Sequence, residues 1–333
     1  MNHEPGPSLF TVPEAASGQR LDNFLLRHLK GVPRSLVYRL VRKGAIRVNG
    51  RRARVENRIA GGDEVRVPAL DRRASGGDSA AVTRVPDGVL RTLRGAIMHE
   101  DEDYLVLDKP AGLAVHAGSG LSFGIIEAMR VVRPGSDLEL GHRLDRETSG
   151  CLVLTRSRRG LHSFHEALRA GQVSKRYLAL LAGRWEGPPQ RCELPIVEDR
   201  DRTGRKRMRA LTRDVAEQMA VGRASEAASR AASSLFTPLE TYAGFTLVEV
   251  DIGTGRTHQI RVHAQAIGHP VAGDHEYGDA QANRVARGAG LQRMFLHAQA
   301  IRFPDWRGEP LLFAAPLPDQ LQSVLDNLAQ AHR

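Results

Sequence analysis

Residues 68–93, PALDRRASGGDSAAVTRVPDGVLRTL, carry no apolar periodicity and are rich in Ala, Ser, Gly and Asp. A stretch without a repeating apolar face has little to bury, so it reads as a linker. It divides the 333 residues into two folding units, a small one over 18–67 and a large one over 94–330. Residues 1–17, MNHEPGPSLFTVPEAAS, read as an N-terminal extension with neither the basic n-region nor the apolar h-region of a secretory signal.

The two units differ in charge. Residues 18–67 hold 13 Lys and Arg against 4 Asp and Glu, an excess of +9 within a chain total of +10. Charge gathered into one short segment is the footprint of a module that binds a polyanion. A solvated basic face is the competing explanation. Apolar residues at helical spacing in LDNFLLRHL and RSLVYRLVRKG predict two helices, and AIRVNGRRA predicts a strand turning at Asn49-Gly50. The second helix turns Leu36, Val37, Leu40 and Val41 inward and leaves Arg34, Arg39, Arg42 and Lys43 for solvent or phosphate. The Ser-containing helix running into AIRVNG resembles the S4 RNA-binding domain over about fifty residues. That resemblance adds Arg47, Asn49 and Arg51 to the expected RNA-binding residues.

The large unit alternates short apolar strands with amphipathic helices in no regular βαβ repeat. This predicts an α+β fold with a mixed, largely antiparallel sheet. Expected elements include two strands around the turn DKPAG, a strand at CLVLTRS, a helix at RGLHSFHEALRAG and a strand at SKRYLALLAGRW. A strand-turn-helix is expected at FTLVEVDIGTGRTHQIRVHAQAIG. Residues 208–234, rich in Ala and Ser, read as a surface insertion. No run reaches 18 apolar residues, so no membrane contact is expected, and two cysteines without CxxC spacing suit a reducing, cytoplasmic setting.

GHRLDRETSG places Asp145 between Arg143 and Arg146, just ahead of an apolar strand. Together with KRYLALLAG, GTGRTHQIRVHAQAIGHPVAGDHEYGD, EDEDYLVLDKPAG and FLHA, in that family's order, it resembles the RluA-type pseudouridine synthases. The stretches VPRSLVYRLVRKGAIRVNG and VHAGSGLSFGIIEAMR look most like the members acting on large-subunit (23S) ribosomal RNA. Another S4-bearing branch of the family is the near competitor.

The resemblance implies a chemistry. Uridine becomes pseudouridine when the N1–C1′ bond breaks, the uracil turns, and C5 takes the place of N1. No group is lost and no electron changes hands, so no cofactor and no metal is required. A carboxylate is required, and the family assigns that role to Asp145, either as nucleophile at C1′ or as a base on the ribose. Burial disfavours a carboxylate's charged form and a neighbouring guanidinium favours it; the family places Arg261 there. Arg143 is expected to hold the nucleotide out of its stack. Tyr177 is expected to stack on the detached uracil and to help C5 lose its proton. By resemblance Leu296 lines the pocket floor, although core packing predicts the same burial.

His142 either touches RNA backbone or is a satisfied half-buried histidine, and Arg256 contacts RNA phosphate or braces its loop. Thr148, Ser149 and Gly150 are expected to shape a turn. The expected partner is ribosomal RNA, and the expected state a monomer. A ribosome-assembly factor without activity is the rival function. His258, His263 and His269 lie close in sequence but lack metal-ligand spacing, and GTGRT lacks the third glycine of a dinucleotide loop.

Overall fold

The computed structural model describes residues 8–29, 32, 34–69, 85–117, 123–200, 206–221 and 229–331. It divides into two compact units, Met1–Arg84 and Val85–Arg333. The first contains strand β1 (Ser8–Thr11), helices α1 (Leu21–His28) and α2 (Arg34–Lys43), and strands β2 (Arg47–Val48), β3 (Arg51–Arg52) and β4 (Glu64–Val67). The strands pair antiparallel in the order β1-β4-β2-β3. Leu21, Phe24, Leu25, Val37 and Val41 close over Ile46, Val65 and Val67 to make the core. At the β2–β3 turn Asn49 and Gly50 both take positive φ, 49° and 74°, as a two-residue hairpin loop requires to follow the strand twist.

The second unit begins with α3 (Asp87–Gly95), β5 (Ile97–Glu100), β6 (Tyr104–Lys109), α4 (Ile125–Val132), β7 (Glu139–Leu140), β8 (Ser149–Thr155) and α5 (Arg158–Arg169). There follow β9 (Ser174–Ala182), β10 (Gln190–Cys192), β11 (Ile196–Arg200), β12 (Lys206–Ala210), α6 (Arg213–Val221), β13 (Ser234–Tyr242) and β14 (Phe245–Ile252). The last elements are α7 (Gln259–Ala266), α8 (Ala280–Gly288), β15 (Leu296–Pro304), β16 (Pro310–Ala314) and α9 (Asp319–Ala331).

Its sheet runs β10-β13-β14-β9-β15-β8-β6-β5, with β7 beside β8 and β16 beside β15. Among the described strands every pair in this sheet is antiparallel except β15 with β8. β8 is buried along its whole length. Leu152 and Leu154 pack with Ile125 and Met129 of α4, while Cys151 and Val153 pack with Phe164 and Ala167 of α5. Two covered faces explain why this strand reads as a continuous apolar run. The fold is the expected α+β arrangement around a mixed, mainly antiparallel sheet.

Four local expectations differ. The stretch 1–17 includes β1, which pairs with β4 from Ser8↔Val67 to Thr11↔Glu64. The expected linker ends early, because Asp87–Gly95 is a helix with Leu90 and Leu93 buried; nine residues with so few apolar anchors hide inside a polar stretch. The β5–β6 turn lies at Asp101–Asp103 rather than at DKPAG. Asp101 Oδ1 stabilises it by accepting the N–H groups of Asp103 and Tyr104 at 2.8 and 2.7 Å. The expected insertion 208–234 overlaps β12, which pairs with β11 from Ile196↔Ala210, and contains α6; residues 222–228 lie outside the described set. No described helix is long and apolar enough to cross a membrane.

Candidate active site

The parallel pair aligns Ser149 with His297 and Gly150 with Ala298. The approach is close: with Gly150 at φ +105°, a Cβ there would lie 2.2 Å from the Ala298 carbonyl oxygen. The loop entering β8 therefore meets the start of β15. Next to β15 runs β9, with Leu296 opposite Ala179. Arg143 and Asp145 from the loop, Tyr177 from β9, Arg256 and Arg261 from the segment after β14, and Leu296 from β15 line one cavity. Thr148, Gly255 and His258 line it too.

Arg261 is the electrostatic centre. Its Nη1 lies 3.6 Å from Asp145 Oδ2. Its other edge is held by buried Asp274, with Nε and Nη2 donating at 2.6 and 2.9 Å, and Nη2 also reaches Glu276 at 3.4 Å. Burial works against this guanidinium's charge, yet Asp274, Asp145 and Glu276 more than offset it and hold its pKa above the ordinary value. Asp274 is likewise opposed by burial but kept low by Arg261 and by the N–H groups of Glu276 and Tyr277. The Tyr277 ring centre lies 4.7 Å from the Arg261 guanidinium carbon and 4.8 Å from that of Arg207. Arg261 is thus clamped on one side and presents the other to Asp145.

The flanking loop is equally fixed. His258 sits at the N-cap of α7 with φ 56°, a left-handed conformation that non-glycine residues seldom adopt and that clusters at functional sites. Its Nδ1 shares a 2.9 Å hydrogen bond with Tyr277 Oη. Buried Gln259 accepts from Thr254 Oγ1 and the Arg256 N–H, and donates to the Ser233 carbonyl and Ser234 Oγ. On the other side, Lys109 Nζ donates to the Pro110 and Arg146 carbonyls at 2.9 and 3.1 Å. Gly112 N–H also donates to the Arg146 carbonyl. Burial pushes the Lys109 ammonium down to about 7. Arg293 reaches Ser149 Oγ at 3.0 Å, and Ser149 in turn shares a 2.9 Å bond with His297 Nδ1.

Six of the seven residues expected at this site converge on the cavity; His142 does not. Its Nε2 accepts the Val153 N–H at 3.1 Å, and its ring stacks 6.0 Å from Phe164. Burial, reinforced by Lys175, pushes it down to about 3, as befits a neutral ring whose lone pair is engaged. Of the two readings of His142, these contacts match the satisfied, half-buried histidine, which fastens the loop to β8. Arg256 lines the cavity and also braces its loop, Nε donating to the Ala231 carbonyl at 3.1 Å. His263 is tied to Ser234 and Leu194, and His269 to Ala182, so the three neighbouring histidines serve separate structural bonds.

In the first unit Arg39, Arg42, Lys43, Arg47, Asn49 and Arg51 are exposed; the Arg34 side chain lies outside the described residues. The Asn49 amide is also used internally, Nδ2 donating to Asp63 Oδ1 and Oδ1 accepting the Glu64 N–H, each at 2.8 Å. The sequence reading missed Asp274, Glu276, Tyr277, Lys109 and Arg293 as parts of the site. GDHEYGD, with three acids and an aromatic a few residues beyond the HQIRVH helix, held the one available signal.

Comparison with known families matches residues 103–266 to RNA pseudouridylate synthase and residues 19–65 to the S4 domain. The "Ribosomal large subunit pseudouridine synthase C" of Haemophilus influenzae is 42% identical over 97% of this chain and 95% of its own. The protein so named in Pasteurella multocida is 44% identical over 97% and 94%. Its Escherichia coli K12 counterpart is 41% identical over 98% of each. Among solved structures, Human RNA Pseudouridylate Synthase Domain Containing 4 superposes with a TM-score of 0.57 at 25% identity, covering 73% of this chain and 96% of that one. Human RNA Pseudouridylate Synthase Domain Containing 1 gives 0.55 at 28% identity, over 71% and 93%. With relatives so similar along nearly all of its length, and a partly buried acid-guanidinium pair at the mouth of its one parallel strand pair among those described, the chain belongs to the RNA pseudouridylate synthase family.

Proposed function

We propose that this protein isomerises specific uridines of large-subunit (23S) ribosomal RNA to pseudouridine, as a cytoplasmic monomer, with Asp145 as the acting carboxylate. The observation that carries this reading is the 3.6 Å approach of Arg261 to Asp145 inside a cavity walled by Tyr177 and Leu296. The relatives named above as large-subunit synthases support the choice of RNA. An everted uridine lays its ribose against Asp145 and its base against the Tyr177 ring, while Arg143 occupies the gap it leaves. Burial and the Asp145 carboxylate hold the Tyr177 phenol above its ordinary pKa. The hydroxyl therefore remains protonated and acts as a hydrogen-bond donor to the turning base. The basic face of the first unit grips phosphates elsewhere on the RNA.

The test is Asp145→Asn, which keeps the shape and removes the charge. The variant is expected to fold, to bind ribosomal RNA with wild-type affinity, and to form no pseudouridine when the RNA is mapped by carbodiimide modification. Product at the wild-type rate would remove Asp145 from the chemistry.

A further inference from the structure

Lys175 precedes Tyr177 by two positions on β9, so both side chains leave the same face of the sheet. The residue is 8% exposed, and its ammonium, which is not fully buried, enters no hydrogen bond or ion pair among the described residues. Its charged or titratable neighbours are Arg256, from the loop after β14, and His142, from the loop before β8. The acids of the adjacent strand, Glu249 and Asp251, pair instead with Arg176 at 3.3 and 3.9 Å, on the opposite face. A buried ammonium without a counter-charge is costly; burial and Arg256 push this one down to about 8. Gly255, a cavity-lining residue, stands next to it: a Cβ there would lie 3.3 Å from Lys175 Nζ, so a side chain at this position would crowd the ammonium.

We infer that Lys175 and Arg256 form an anion site beside the cavity, and that its ligand is a backbone phosphate flanking the everted uridine. The inference rests on the RNA reading above, since the phosphodiester is the anion which that substrate brings. Bound phosphate supplies the counter-charge that the fold withholds from Lys175, so the ammonium strengthens binding of RNA while weakening the empty protein.

The experiment uses the full chain, Lys175→Met, and ribosomal RNA fragments carrying a neutral methylphosphonate in place of each phosphate flanking the target uridine in turn. Lys175→Met is expected to resist denaturant at least as well as wild type. Its KM for RNA should rise about tenfold, the loss of one charge-assisted hydrogen bond, with kcat within about threefold. One of the two methylphosphonates should raise the wild-type KM by a similar factor and leave that of Lys175→Met nearly unchanged. Wild-type KM should also rise above pH about 8, where the ammonium deprotonates, while the variant's stays level. If each methylphosphonate costs both proteins equally, or if Lys175→Met lowers kcat with KM intact, the phosphate site is wrong although the RNA reading stands. A wild-type protein that converts no ribosomal uridine overturns both.

Discussion

Arg261 takes its position from Asp274 rather than from Asp145. Two short bonds fix its far edge to a carboxylate whose side chain is 1% exposed, so the group facing Asp145 is already aimed before substrate arrives. His142 shows the same economy of neutral and charged groups with opposite sign. Its folded value near 3, against 6.5 ordinarily, means that the unfolded chain takes up a proton between those limits that the folded chain refuses. Stability must therefore fall as pH is lowered through that window. His142→Gln keeps an acceptor for the Val153 N–H and does not titrate. Urea unfolding between pH 7 and 5 should show the wild type losing stability faster than this variant. Parallel slopes would mean that the ring is not held neutral.

At the scale of elements, strands and helices with long uninterrupted patterns were readable from the residues, as β8, β9, α5 and the Asn49-Gly50 hairpin show. Each rests on a local cause: an apolar run, a helical stripe, a turn that tolerates positive φ. The linker helix α3 and the β5–β6 turn were misread because tertiary burial of Leu90 and Leu93, and the carboxylate of Asp101, decide them. The site was legible only through the family's motifs. No periodicity could announce that Asp274 backs Arg261, or that Lys109 holds the carbonyl of Arg146. The parallel join of β8 and β15 was equally invisible, since strand order is not written in either strand. Gly150 is its constraint. Gly150→Ala puts a methyl into the Ala298 carbonyl at a backbone angle disfavoured for side chains, and should destabilise by about 3 kcal/mol or more. Urea denaturation measures this, and a cost under about 1 kcal/mol would show that the two strands can part without loss.

The molecule as a whole separates gripping from chemistry. The first unit has its own core and carries the excess charge, whereas the acid, the guanidinium and the aromatic wall all belong to the second. A division of this kind predicts separable kinetics. Arg39, Arg42, Lys43 and Arg51 are exposed on the first unit, and changing all four to Gln leaves its core untouched. Each lost phosphate contact should flatten the fall of log affinity with log salt by about 0.7–0.9. KM for long ribosomal RNA should therefore rise most at low salt, where the counterion term is largest, and the gap to wild type should close as salt increases. The turnover rate at saturating RNA should stay within about twofold, because no group that touches the uridine has changed. Were turnover to fall while KM and the salt slope held, the basic face would have to act on the chemical step itself, and the division of labour between the two units would be wrong.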